Sequence, residues 1–142
     1  MSTKKPFRLF LLLMMLAVAT GYYFYNKGPV NIKTSDGINI TAVELYNAYE
    51  DTLTAQKKIT GKVLTVAGVI IKIEMNQQNE TILFLKTNTA DAFINCSMQQ
   101  TNITLKVNDS AHIKGLCTGI GQGDADLGIK ADVYLTSCWI AK

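Results

Sequence analysis

Arginine is absent from this chain beyond residue 8, and the sequence holds one histidine, one tryptophan and two prolines in 142 residues. Without arginine there is no fork for bidentate contact with phosphate. Three of the fourteen basic residues, Lys4, Lys5 and Arg8, sit at the extreme N-terminus. The remainder carries eleven lysines against its eleven acids, so the net charge of +3 belongs to the first few residues. A neutral region of this kind has no electrostatic footprint for a polyanion, which argues against nucleic acid as its partner. No two of Cys96, Cys117 and Cys138 are close enough for a CxxC redox pair or a zinc knuckle. There is no convergent acid, base, nucleophile or metal set, so the chain reads as a non-enzyme that uses no cofactor and no metal.

What is present begins with LFLLLMMLAVATGYYFY, residues 9–25, an uncharged run after a basic start, MSTKKPFR. A lipoprotein leader needs a cysteine at the end of such a run, and the first cysteine is Cys96. Ala17-Val18-Ala19 offers a small-x-small site, so cleavage after Ala19 is one reading. A permanent transmembrane anchor is the other, since about 17–25 apolar residues span a bilayer. Tyr22, Tyr23, Phe24 and Tyr25 continue the run and fall where an interfacial aromatic belt belongs, which favours the anchor. In both readings residues 1–8 stay in the cytoplasm and the domain lies beyond the cytoplasmic membrane.

Residues 26–39 are polar with Gly28, Pro29 and Gly37, and read as a linker. Residues 40–59 read as one amphipathic helix. Thr41 and Glu44 form a capping box, Ala42, Leu45, Tyr46, Tyr49 and Leu53 make an apolar stripe, Lys57 and Lys58 lie in the last turn, and Gly61 ends the helix. Five short strands are expected next, at 62–74, 81–86, 92–98, 111–119 and 132–140. The first is interrupted by Gly68, read as a bulge or sharp bend. On the third, Ile94, Cys96 and Met98 face one way and Phe93, Asn95 and Ser97 the other. Residues 99–110, polar but for Ile103, Leu105 and Val107, are expected to cover a barrel end. Five strands in an open sheet would leave two bare edges, and closure removes them. The fold class is therefore mainly β: a five-stranded OB-fold barrel over 62–140 within a domain 40–142, preceded by one amphipathic helix, with an N-terminal transmembrane helix over 9–25.

The segments GYYFYNKGP, AVELYNAYEDTLTAQKKITGK, VLTVAGVIIKI, FINCSM, IKGLCTG and DVYLTSCWI together resemble the tRNA-anticodon-like OB-fold family, small envelope-directed bacterial proteins, over roughly residues 21–140. These motifs are structural: glycines for bends, apolar positions for a core, cysteines on strands. The resemblance implies a strand order 1-2-3-5-4-1, which puts Cys96, Cys138 and Cys117 on neighbouring strands. Cys117–Cys138 and Cys96–Cys138 would then join adjacent strands, whereas three small core hydrophobes are the plainer reading.

OB-folds bind ligands on the face of strands two and three. Phe93 is the stacking candidate there, with Asn95 on its face and Lys72 and Lys86 as the nearby cations; a covered apolar position is the competing reading of Phe93. His112 alternates away from Cys117, so it reads as a surface residue rather than a metal ligand. Asp124 and Asp126 lie in a Gly-rich loop, GQGDADLG, that lacks the distal Glu of an EF-hand, and read as a solvated connection. The function expected from all this is a binding or interaction module of the bacterial cell envelope, single-pass in the cytoplasmic membrane, whose partner is a protein or small envelope ligand. An oligonucleotide- or oligosaccharide-binding OB domain is the alternative. The oligomeric state is left open.

Overall fold

The structure, a computed structural model, describes residues 4–26, 28, 30–51 and 53–142. It divides into two compact units, residues 1–30 and 31–142. The first is the helix α1 (Lys4–Asn26). Its window Leu9–Asn26 has a mean hydropathy of 1.5 with none of its residues buried, and it is long and apolar enough to cross a membrane.

In the second unit the strands close a barrel. After a short strand β1 (Ile38–Thr41) come the helices α2 (Ala42–Asp51) and α3 (Leu53–Ile59). The strands β2 (Val63–Met75), β3 (Thr81–Lys86), β4 (Phe93–Met98), β5 (Ser110–Ile120) and β6 (Val133–Ile140) follow. The sheet order is β1-β2-β3-β4-β6-β5, and β2 also pairs with β5. Without β1 this is a closed five-stranded barrel in which only β4 and β6 run parallel. That is the OB-fold order, and it puts Cys96, Cys138 and Cys117 on the neighbours β4, β6 and β5, as expected.

β2 closes the barrel because it serves two partners in succession. Val63–Val69 pair with β5, and Ile70–Met75 pair with β3. The irregularity that permits the switch falls between Ile70 and Lys72, not at Gly68 as the sequence suggested. Gly68 answers a different need. A Cβ there would come within 3.1 Å of the Ala42 Cβ and 3.2 Å of the Leu85 Cβ, so glycine lets α2 seat against the strand. Gly115 makes room more severely, since its Cβ would lie 2.5 Å from the Cys138 sulfur.

Three other expectations are corrected. The helix expected over 40–59 starts at Ala42, because Ile38–Thr41 pair in parallel with Leu64–Ala67 of β2. A four-residue strand at the edge of a polar stretch offers too little alternation to be seen. The linker expected over 26–39 is shorter than read. Ile32 is buried, and Lys114 Nζ donates to the Ser35 carbonyl, so the chain packs on the barrel from about residue 31. Leu53, expected on the apolar stripe, is 74% exposed. The rest of that stripe behaves as read: Ala42, Leu45, Tyr46 and Tyr49 are buried in one cluster with the barrel interior. The capping box forms in full. Glu44 N–H donates to Thr41 Oγ1 at 3.1 Å and Thr41 N–H donates to Glu44 Oε2 at 2.9 Å. The Thr41 N–H bond, and then a bond that Thr41 Oγ1 donates to the same Oε2 at 2.9 Å, hold the Glu44 carboxyl below its usual range. Gly61, at φ 77°, takes the left-handed turn beyond the helix.

The interior holds the fold together. Leu45, Leu64, Ile70, Leu83, Leu85, Ile94, Ile113 and Leu135 are each fully buried, at about 1.5–3 kcal/mol apiece. The ion pair Lys72–Glu74 is between half-exposed groups and is worth under about 1 kcal/mol.

Candidate ligand face of the barrel

The outer face of β2, β3 and β4 gathers the residues singled out in the sequence. In one row Lys72 of β2 faces Phe84 of β3, which faces Asn95 of β4, which faces Tyr134 of β6. In the next, Lys86 faces Phe93. Lys72, Lys86, Phe93 and Asn95 are thus brought together.

The alternation of TILFLK places Phe84 on the same face as Lys86, so Phe84 was legible as a further member. Phe84 and Phe93 meet edge to face, with centroids 6.2 Å apart and planes at 81°. The Lys72 ammonium sits over the Phe84 ring at 5.2 Å while it pairs with Glu74. Tyr134, 43% exposed, extends the patch. Its membership depends on the parallel β4–β6 register, which no local pattern reveals.

Asp132 props up one edge. Its carboxylate accepts from Phe93 N–H at 2.9 Å and from Asn95 Nδ2 at 3.0 Å. Asn95 is therefore committed to the scaffold, only 8% exposed, with its Oδ1 buried and without a donor among the described residues. A buried acceptor left unmatched costs about 1–3 kcal/mol, so it is a point where a donor would be favoured. Phe93 is half-covered, between its stacking and covered readings.

The other singled-out residues lie elsewhere. Cys96, Cys117 and Cys138 are separate buried thiols inside the barrel. Cys117 and Tyr49 share a hydrogen bond at 3.1 Å, and Tyr49 shares another with Thr60 at 2.7 Å. Burial, and then the Cys117 bond, push the Tyr49 hydroxyl up to about 12. Burial likewise raises the Cys117 thiol, and the Tyr49 bond partly offsets it. Cys138 is raised further, by its hydrogen bond with Cys96 and then by burial. His112 is exposed on the outside of β5. Asp124 folds its own loop: its Oδ1 accepts from the N–H groups of Asp126 and Leu127, and its backbone pairs with Ile129. Among the described residues no three His, Cys, Asp or Glu side chains gather where they could hold a metal ion.

A closed five-stranded barrel of this strand order is an OB-fold domain. The chain belongs to the tRNA_anti-like family, whose model matches residues 1–127. No curated protein matches it. Among solved structures it is similar to a protein of Klebsiella pneumoniae subsp. pneumoniae MGH 78578 that carries the name "putative nucleic acid-binding lipoprotein". The two are 17% identical, with a TM-score of 0.55 over 81% of this chain and 100% of the other. At that identity the likeness speaks for the fold.

Proposed function

We propose that this protein is a membrane-anchored binding module of the bacterial cell envelope, and not an enzyme. Its N-terminus lies in the cytoplasm, α1 spans the cytoplasmic membrane, and the barrel is held outside. A segment of a partner protein, or a small envelope ligand, is bound on the β2–β4 face. The observation that carries this reading is the outer patch of Phe84, Phe93 and Tyr134 with Lys72 and Lys86 at its margins. Rings of this kind left on a surface favour contact with another molecule. The strongly shifted groups, Tyr49, Cys117 and Cys138, are enclosed in the core where no substrate reaches, which supports binding over catalysis. The name of the Klebsiella protein points to a lipid tether; here no cysteine precedes residue 96, and the apolar helix takes that role.

A second reading, an oligonucleotide-binding face, is favoured by the stacked phenylalanines and by the name of that neighbour. It ranks below the first because Lys72 is already paired and the barrel is neutral overall. Site-specific photocrosslinking in cells separates the two. A crosslinking residue at Lys72 or Lys86 of the full chain should capture a discrete protein that the same residue at His112 does not. Equal capture from all three positions sinks the first reading. Saturable binding of single-stranded DNA or RNA below about 1 µM at 150 mM salt, tighter than ordinary non-specific binding, promotes the second.

A further inference from the structure

A second concave site lies away from this face. The connection after β4 folds back over the end of β6 and, with the segment leading to β1, encloses a cleft of about 670 Å³. That is within the range of small-molecule sites, about 300–1,000 Å³. Its floor is Trp139, with the Lys33 ammonium 4.8 Å from the ring centroid. Lys114, opposite Trp139 in the β5–β6 register, donates to the Ser35 carbonyl and joins the same wall. Gln99, Gln100 and Asn102 supply amides on the other side.

Three features of the lining restrict the ligand. No Asp or Glu side chain is among the lining residues, neither Lys33 nor Lys114 has a carboxylate partner among the described residues, and Lys142 adds a third ammonium, so the side chains of the cleft carry positive charge for an anionic group. Gln100 is already oriented, because its Oε1 accepts from Ile140 N–H and its Nε2 donates to the Asn102 carbonyl. The Gln99 and Asn102 side chains have no hydrogen-bond partner among the described residues. Amides both donate and accept, which suits hydroxyl groups, since these do the same. Finally, Trp139 is the single aromatic residue of the lining. One ring can floor a sugar, whereas base recognition usually places the base between two apolar or aromatic side chains.

We infer that this cleft is a binding site for an acidic saccharide, its acid group drawing the Lys33 ammonium off the Trp139 ring toward Lys114, the sugar taking that place over the ring, and its hydroxyls on Gln99, Gln100 and Asn102. The site shares no residue with the β2–β4 face and does not depend on what that face binds.

Trp139 is the chain's one tryptophan, so tryptophan emission, excited to the red of tyrosine absorption, arises at this cleft. The full chain, held in a detergent free of sugar and phosphate such as an amine oxide, is titrated with digalacturonate, a neutral disaccharide of the same size, inorganic phosphate and a pyrimidine dinucleotide. Digalacturonate should give a saturable change, with the neutral sugar and phosphate each weaker on the order of 10-fold, the loss of one charge-assisted contact or of the hydroxyl contacts. Lys33→Gln, at an exposed position, should weaken digalacturonate by a similar factor and leave the neutral sugar unchanged. Lys114→Gln should do the same if its melting curve shows it folded; Lys33→Gln decides the matter alone if not. Lys130→Gln, at an exposed position before β6 and outside the cleft, should leave every titration as it was. An absent response to digalacturonate, an equal response to the neutral sugar, or indifference to Lys33→Gln overturns the inference. Tighter binding of the dinucleotide overturns it in favour of a nucleotide site.

Discussion

The two sides of β4 are built from one hexapeptide and behave in opposite ways. Ile94, Cys96 and Met98 point inward and are almost wholly buried, in a space already filled by α2 and four other strands. Phe93, Asn95 and Ser97 point outward into a thin layer of contacts: an edge-to-face ring pair, the Asp132 carboxylate, and Ser97 donating to Glu80. The inner side has no slack, and its contacts are cooperative because each side chain is a wall for several others. The outer side is more loosely held and still has ring edges to offer. A strand can thus be strict about structure on one side and open to function on the other, with alternation alone keeping the two apart.

The sharpest way to break that contrast is to add volume inside, and the largest effect is expected at Gly115. A β-carbon there overlaps the Cys138 sulfur, which is itself buried against Cys96 and cannot swing away. Gly115→Val should cost about 3 kcal/mol, the upper end of overpacking penalties. Gly68→Val should cost less, about 1–3 kcal/mol, because its nearest neighbours would lie at 3.1 and 3.2 Å and α2 can shift by a few tenths of an ångström. Denaturant midpoints of the full chain in detergent, followed by Trp139 emission, give the order. If Gly68→Val proves the more damaging, the helix and not the β5–β6 seam is the rigid part of the interior.

How far the sequence carried follows the same division. Apolar alternation placed β3 to the residue and the ends of the other four barrel strands to within one, since the inner side of a strand is written locally. The capping box was readable too, because Thr41 and Glu44 need only each other. What was missed depends on distant partners. β1 exists because Leu64–Ala67 of β2 offer it an edge, and Tyr134 joins the outer patch only through the parallel pairing with β4. Lys33, Gln99 and Trp139 are far apart in the chain and meet at one cleft, and no spacing rule links them. Gly68 stood out as a costly glycine in a strand, but the bend read there lies between Ile70 and Lys72, and its service to Ala42 needed the packed helix to be visible.

A smaller effect is expected inside when a polar group rather than volume is changed. Tyr49 holds its hydroxyl neutral, with its pKa up to about 12 against an ordinary 10.0. A raised acid pKa in the folded state means that the native chain binds more protons than the unfolded one between those values. Its contribution is therefore complete below about pH 10 and is lost as pH rises toward 12. Cys117 and Cys138 add a loss of the same sign that begins lower, above their ordinary 9.0. Stability should thus fall from about pH 9 upward. Tyr49→Phe should cost about 1 kcal/mol at neutral pH, from the lost bonds to Thr60 and Cys117, and flatten the upper part of the decline. Burial raises the Tyr46 hydroxyl as well, so an unchanged slope between pH 10 and 12 in the variant would assign the decline to the thiols and Tyr46 instead of Tyr49.

The smallest effect on stability belongs outside, at Lys72. Its side chain is 56% exposed, its partner Glu74 47%, so the ion pair is screened and worth little. Its approach to the Phe84 ring at 5.2 Å adds about 0.5–1 kcal/mol at most in water. Part of that returns on substitution, because the freed side-chain entropy of lysine opposes the loss. Lys72→Ala should therefore move the denaturant midpoint by less than about 0.5 kcal/mol, the usual span for surface changes. The same substitution removes a cation from the margin of the aromatic patch. It should weaken whatever the crosslinker captures from Lys86 while the barrel stays as stable as before. A stability loss above about 1.5 kcal/mol would mean that the outer layer, too, holds the barrel closed. The distinction between a strict inner side and an open outer side of β2–β4 would then fail.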